Sequence, residues 1–239
     1  MKAPFRYLVY REAVMSLKYM KSTIIGFVTL SALFLLTRLS YECGNLSMGF
    51  DSEAKAVMAP ILAYVDLAPV MMIGMLLNSI SEASQHEASS AWKKFRLSLP
   101  VSTWKYTLAK FIFTAIVFAA EVLLGTGYMV AIGALSGTGF SVDTLATILF
   151  IQGFLLAFSI VMNIFVLILG TVERAGIAIA IITFIFFGKI FSNPNVNFDY
   201  AMDFIKNAGK YLPFIVLAII GIMAVGYVAT ALMLKRRER

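Results

Sequence analysis

Two carboxylates stand where carboxylates are costly. Asp66 lies in Ala63-Tyr-Val-Asp-Leu-Ala-Pro69, and Glu121 in Phe118-Ala-Ala-Glu-Val-Leu-Leu124, each within a long apolar run. In hydrocarbon, a charged acid at the centre of a helical span costs about 2.5–3.5 kcal/mol on insertion scales, so neither side chain is expected to face lipid. Each should face a cavity, a subunit interface or another helix. There it could attract cationic groups, or it could simply hydrogen-bond between helices, worth about 1 kcal/mol. The residue types leave both readings open.

Other chemistries find little support. His86 is the single histidine and falls in a polar segment, so no His-Glu-Xaa-Xaa-His metal site and no intramembrane serine–histidine pair can form. Cys43 is the single cysteine, which permits neither an internal disulfide nor a cysteine metal cluster. No Gly-Xaa4-Gly-Lys-Ser/Thr phosphate loop is present, and the soluble segments are too short for an ATPase domain. The chain is expected to hold no cofactor of its own.

The elements that must position the two acids are apolar helices. Hydrophobic residues make up 60% of the 239-residue chain and charged residues 14%. Mean hydropathy is +0.87. About 20 apolar residues cross a hydrocarbon core as a helix. Six such runs are expected, at about Ser22–Thr37, Val57–Ile80, Thr107–Leu135, Thr144–Gly170, Ala175–Phe191 and Tyr211–Leu234. They are apolar on all sides and lack the alternation a membrane β-barrel needs. The predicted fold is all-α: one polytopic transmembrane domain over residues 1–239. The first run is not expected to be a secretory signal, because no Ala-Xaa-Ala-like cleavage site follows it.

Charge sets the orientation. Fifteen of the 20 Lys and Arg fall before the first run, between the second and third, in the short fourth connection (Arg174) and in the tail. The other five are Arg38, Lys55, Lys189, Lys206 and Lys210. The positive-inside rule places the rich side, with both termini, in the cytoplasm of a plasma-membrane protein. The net charge of +7 follows from this bias and from anionic headgroups, and it is no sign of nucleic-acid binding.

The polar segments add detail. In Met1–Lys21, the apolar residues Phe5, Leu8, Val9, Ala13, Leu17 and Met20 recur at helical spacing, which predicts an amphipathic helix on the inner leaflet. Residues 81–106 predict a short cytoplasmic helix carrying Glu82, Glu87, Trp92, Lys93 and Arg96, broken at Pro100, with Ser102 capping the next helix. The outer segment 192–210 predicts a short interfacial helix through Phe198, Met202 and Ile205. Pro60 and Pro69 flank Asp66 and are expected to bend the second span. Gly133-Xaa3-Gly137 and Gly176-Xaa3-Ala180 are expected to allow close helix packing.

The stretch Trp92-Lys-Lys-Phe-Arg-Leu-Ser-Leu-Pro-Val-Ser102, with Lys110 at the start of the next span, resembles the cytoplasmic loop of ABC-2-type permeases. The six-span layout and the basic amphipathic lead-in match that family as well. Size and loop look most like small permeases that export amphipathic peptides, such as phenol-soluble-modulin exporters and lantibiotic immunity transporters. The resemblance implies a membrane subunit powered by a separate cytoplasmic ATPase that binds the ATP and Mg. It implies that Glu82, Glu87, Trp92, Lys93 and Arg96 couple to that partner. It also implies a dimer of permeases with Asp66, Gly176 and Ala180 near its centre, exporting an amphipathic peptide or other lipophilic substrate. An ion-coupled transporter using Asp66 and Glu121, or a non-transporting sensor or scaffold docking through the same loop, are the alternatives.

Overall fold

The computed structural model describes residues 5–43, 66–78, 101–191 and 207–238, and every element among them is helical. In chain order these are α1 (Phe5–Glu42), α2 (Ala68–Ile73), α3 (Thr103–Ser136), α4 (Val142–Leu169), α5 (Val172–Phe191), a 3-10 turn (Ala208–Tyr211) and α6 (Leu212–Glu238). Among the described residues, four helices are long and apolar enough to cross a membrane: α1, α3, α4 and the helix running from Ala208 to Arg236. α5, at 20 residues, spans about 30 Å. The predicted second span is represented by Ala68–Asn78, a shorter apolar stretch. The surface is studded with large apolar side chains such as Leu123, Phe184, Phe214 and Val225, each more than two-thirds exposed. Water would not tolerate such a surface, and lipid requires it.

The amphipathic lead-in and the first span are one helix. α1 runs unbroken for 38 residues, about 57 Å, with no break near Lys21. Its inward face is mixed in character. Leu8, Glu12, Ser16, Met20, Phe27 and Ser31 point inward, whereas Phe5 and Leu17 are exposed. Apolar spacing located the helix, and the face that packs on α3 carries polar as well as apolar residues.

Helix ends follow their local chemistry. The Ser102 hydroxyl accepts the Lys105 N–H at 3.4 Å and caps α3 as expected. Ser141 caps α4 through the Thr144 N–H at 3.1 Å. Gly170, at φ 87°, closes α4 and lets α5 begin two residues later, the tight fourth connection.

α1 packs chiefly on α3, and α4 chiefly on α6, with α2 inserted against α1, α3 and α4. The main core joins Met20 and Phe27 of α1, Val70, Ile73 and Leu77 of the α2 region, Phe113 and Val117 of α3, and Ile148 and Leu156 of α4. Tyr106, Leu167 and Leu234 cluster at one end of the bundle. The start of α3 and the ends of α4 and α6 therefore lie together, and the Arg11 guanidinium of α1 reaches the Tyr106 hydroxyl there at 3.0 Å. Among the described residues, Arg11, Lys105 and Lys235 belong to the helix ends gathered there. Ala146, Ala208 and Ile215 pack at the other, where the Asp143 carboxylate accepts the Gly209 N–H at 2.8 Å.

The glycines used for close packing are not the ones their spacing suggested. A methyl at Gly153 would lie 2.9 Å from Ile219, and one at Gly226 would lie 2.7 Å from Ile160, so these two bring α4 and α6 together. Gly133 instead makes room for its own chain. The Gly139 N–H bonds the Gly133 carbonyl at 3.2 Å, and Gly137, at φ 68°, turns the chain back to make that contact. Among the described residues, Gly176 meets nothing within 4 Å and Ala180 is exposed, so none of them covers that face of α5. Gly133→Ala places a methyl 2.5 Å from the Gly139 carbonyl oxygen and should cost about 1–3 kcal/mol. Gly176→Ala should leave the single chain's stability unchanged. Thermal unfolding of the two variants in detergent, followed by size-exclusion chromatography, checks the contrast.

Candidate functional site

The second apolar run is not a continuous helix. Pro69 occupies the first turn of α2, where its missing N–H costs nothing, so it starts a helix and does not bend one. Pro60 lies outside the described residues. The interruption comes later, at Gly74–Met75, before a further short helical piece at 76–78. There the backbone tightens: Met75 N–H bonds the Met72 carbonyl at 3.1 Å and Asn78 N–H the Met75 carbonyl at 3.0 Å. The Leu77 N–H and carbonyl turn to side chains on other helices. In lipid such groups must find partners inside the protein, at a cost of several kcal/mol each if they fail.

Three polar side chains supply them. Glu121 Oε1 of α3 accepts the Leu77 N–H at 3.1 Å. Ser159 Oγ of α4 donates to the Leu77 carbonyl at 2.9 Å. Gln152 Nε2 of α4 donates to the Val70 carbonyl at 2.7 Å. Glu121 and Gln152 are fully buried and Ser159 nearly so. Gln152 and Ser159 are seven residues apart, two turns along one face of α4. Gly74 faces Gln152 and Leu155 with no room for a side chain, and Gly125, one turn after Glu121, gives Val70 and Ile148 space to approach. Two acceptors, Glu121 Oε2 and Gln152 Oε1, have no hydrogen-bond partner among the described residues. The break is thus clamped on both sides, with two buried acceptor atoms beside it.

Asp66 belongs to a different group. Its Oδ2 lies 3.7 Å from Arg38 Nη1 near the end of α1, and Arg38 Nε is 3.1 Å from Glu42 Oε1. The Arg38 guanidinium also stands 6.0 Å from the Tyr41 ring. Asp66 therefore joins the start of α2 to α1, at the end of α1 remote from Arg11. The structure does not join Asp66 and Glu121 as one pair: Glu121 sits midway along α3, on the helix break.

Sequence reasoning selected Glu121 and missed Gln152 and Ser159. The same signal, a polar residue inside an apolar run, was available for Gln152 in Ile148-Leu-Phe-Ile-Gln-Gly153. Nothing in the sequence announced that Leu77 would offer its backbone. A second missed group is the polar seam between α1 and α3, where Arg11 bonds Tyr106 and lies over its ring at 5.0 Å, while Glu12, Ser16 and Lys110 are buried. The expected coupling residues Glu82, Glu87, Trp92, Lys93 and Arg96 lie outside the described residues, as does most of the predicted outer helix. No group of three or more metal-ligating side chains occurs among the described residues.

The clamp makes a graded prediction. Glu121→Leu leaves the Leu77 N–H buried without an acceptor and should cost about 1–3 kcal/mol. Glu121→Gln keeps an acceptor oxygen and should stay within about 0.6 kcal/mol of the parent. Chemical unfolding in mixed micelles, read by tryptophan fluorescence, separates the two. Equal losses would show that the Leu77 contact does not bear on stability.

A family model described as ABC-2 family transporter protein matches residues 8–233. No curated protein and no solved structure matches the chain at a significant level. The match takes in every helix that builds the clamp, from α1 through α6. With a helical, lipid-facing bundle and a family match over nearly its whole length, this chain belongs to the ABC-2 transporter family, as a membrane-embedded permease component.

Proposed function

We propose that this chain is the permease subunit of an ATP-driven exporter that moves amphipathic peptides or other lipophilic substrates out across the plasma membrane. The observation that carries the reading is the family match over residues 8–233, in a chain whose sequence contains no phosphate loop of its own. Power must then come from a separate cytoplasmic ATPase, which binds ATP and Mg. The loop bearing Glu82, Glu87, Trp92, Lys93 and Arg96 is its docking element, through two acids, a paired basic patch and an aromatic anchor. That loop enters α3 through Ser102, and α3 carries both the Tyr106 contact to α1 and the Glu121 clamp on the helix break. A push at the loop therefore reaches α1 and the break through one rigid helix.

Export needs two such halves. The open Gly176/Ala180 face of α5, flanked by the exposed Ile177, Ile181 and Phe184, supports contact with a second permease, identical or not. Both chain ends at the end of the bundle that bears Arg11, Lys105 and Lys235 support cytoplasmic termini. The Leu77 break gives the second span a place to change shape, and Glu121, with one free oxygen, is the acidic group best placed to meet a cationic peptide. Asp66, held by Arg38, serves to hold α1 and α2 together.

Two experiments test this reading. Affinity purification of the chain from its native membrane in mild detergent, followed by mass spectrometry, should return a stoichiometric soluble ATPase with a phosphate loop. Trp92→Ala combined with Arg96→Glu should abolish that association while membrane insertion is kept. Failure to find an ATPase, with other membrane complexes intact, would turn the reading toward ion-coupled transport. In vesicles holding the whole complex, Glu121→Gln should slow peptide export at least tenfold, and Asp66→Asn should change it less than twofold. Full-rate export by both variants would remove Glu121 from the pathway.

A further inference from the structure

The break in the second span gathers oxygens. In an unbroken helix the N–H groups of Met75, Leu77 and Asn78 would bond the Met71, Ile73 and Gly74 carbonyls, four residues back. They turn instead to the Met72 carbonyl, Glu121 and the Met75 carbonyl. Three carbonyls within one turn thus lose their helical donors. Glu121 takes the Leu77 N–H that the Ile73 carbonyl would have held, which brings a carboxylate beside a carbonyl.

α4 adds a further acceptor. Gln152 Nε2 faces the Val70 carbonyl, which can only accept, so the amide is held with Oε1 turned the other way. That oxygen lies 2.4 Å from where a methyl on Gly74 would stand, and it reaches the break because residue 74 has no side chain. Glu121 Oε2 and Gln152 Oε1 are both buried without a hydrogen-bond partner. The backbone groups they flank, Gly74 and Leu77, are three residues apart, about 4.5 Å at the helical rise. Two oxygens on opposite sides of one ion of calcium-like size stand about 5 Å apart, so the two side chains can share an ion.

We infer that the break is a binding site for one monovalent alkali cation, held by Glu121 Oε2, Gln152 Oε1 and the carbonyls of Ile73 and Gly74. Charge selects the valence. The one bond Glu121 makes among the described residues is to the Leu77 N–H, so its carboxylate lacks a countercharge there. A single positive charge balances it, and a divalent ion would leave an excess charge in hydrocarbon. Coordination favours an ion over a proton. A proton answers Glu121 alone, whereas an ion takes the amide and carbonyl oxygens at the same time. Carbonyls released by a broken membrane helix serve such ions in place of hydration water. The ion completes the clamp, because it ties the break to α3 and α4 through the freed carbonyls as well as through Leu77.

The test uses the full chain with its co-purifying partners in lipid nanodiscs, at constant pH and ionic strength. Radioactive sodium is the probe in one arm, and radioactive rubidium stands in for potassium in the other. Binding should saturate at a single ion per chain in at least one arm, and the tighter arm names the ion. Glu121→Gln should abolish it, and Gln152→Leu should weaken it about tenfold or more. Asp66→Asn, on the separate Arg38 group, should bind as the parent does. Thermal unfolding supplies a second readout: the bound ion should raise the parent's unfolding temperature and leave that of Glu121→Gln unchanged. Absence of saturable binding in both arms would overturn the proposal. So would binding that survives Glu121→Gln, or an equal loss in Asp66→Asn, which would mark a general effect of charge. None of these readouts involves transport, so their failure would leave the export reading standing.

Discussion

A backbone group in lipid has no water to fall back on, and the α2 region shows how one chain meets that constraint. Where the second span breaks at Gly74–Met75, the Leu77 N–H and carbonyl would be orphaned in hydrocarbon. Glu121 and Ser159 meet those two groups, and Gln152 adds a donor to the Val70 carbonyl, so the partners come from two separate helices. The break therefore holds only while α3 and α4 stand where they do. Conversely, a buried carboxylate in α3 is tolerable only because a backbone donor is turned toward it.

That reciprocity organises the rest of the bundle. α3 is the common partner: it carries the acid that holds the break, the tyrosine that receives Arg11, and the Trp104 and Phe111 rings that pack edge-on against Tyr227 of α6 at 5.6 Å and 5.8 Å. α4 supplies the two donors of the clamp on one face and the close glycine contact to α6 on another. Movement of α3 along or about its axis must act on the break directly, because the link is a hydrogen bond and not a loose apolar contact.

The two ends of the bundle are held by different chemistry. At the end bearing Lys105 and Lys235, α1 and α3 meet through Arg11, Glu12, Tyr106 and Lys110 in a partly buried polar seam. At the other end, Arg38 links α1 to Asp66, and Asp143 holds the turn that leads into α6. The apolar length between them is left to face lipid.

The sequence by itself determined the solvent and the all-helical build, and it placed four of the expected spans. Runs of about 20 apolar residues leave lipid as the only tolerable surroundings, and the start and end of α3, α4 and α6 fall within a few residues of where the runs and caps put them. It also marked Glu121 as a residue with a partner to find. It could not say which partner, nor that α1 would run on unbroken through Lys21 with Glu12 and Ser16 turned inward. Periodicity ranks residues by how much they avoid water, whereas the packed face of a membrane helix is chosen by polar contact and close approach. The identity of the packing glycines, the pairing of Asp66 with Arg38 and the clamp on Leu77 were decided by tertiary structure alone. Each joins residues distant in the chain through contacts shorter than 4 Å, and no local pattern encodes such a contact.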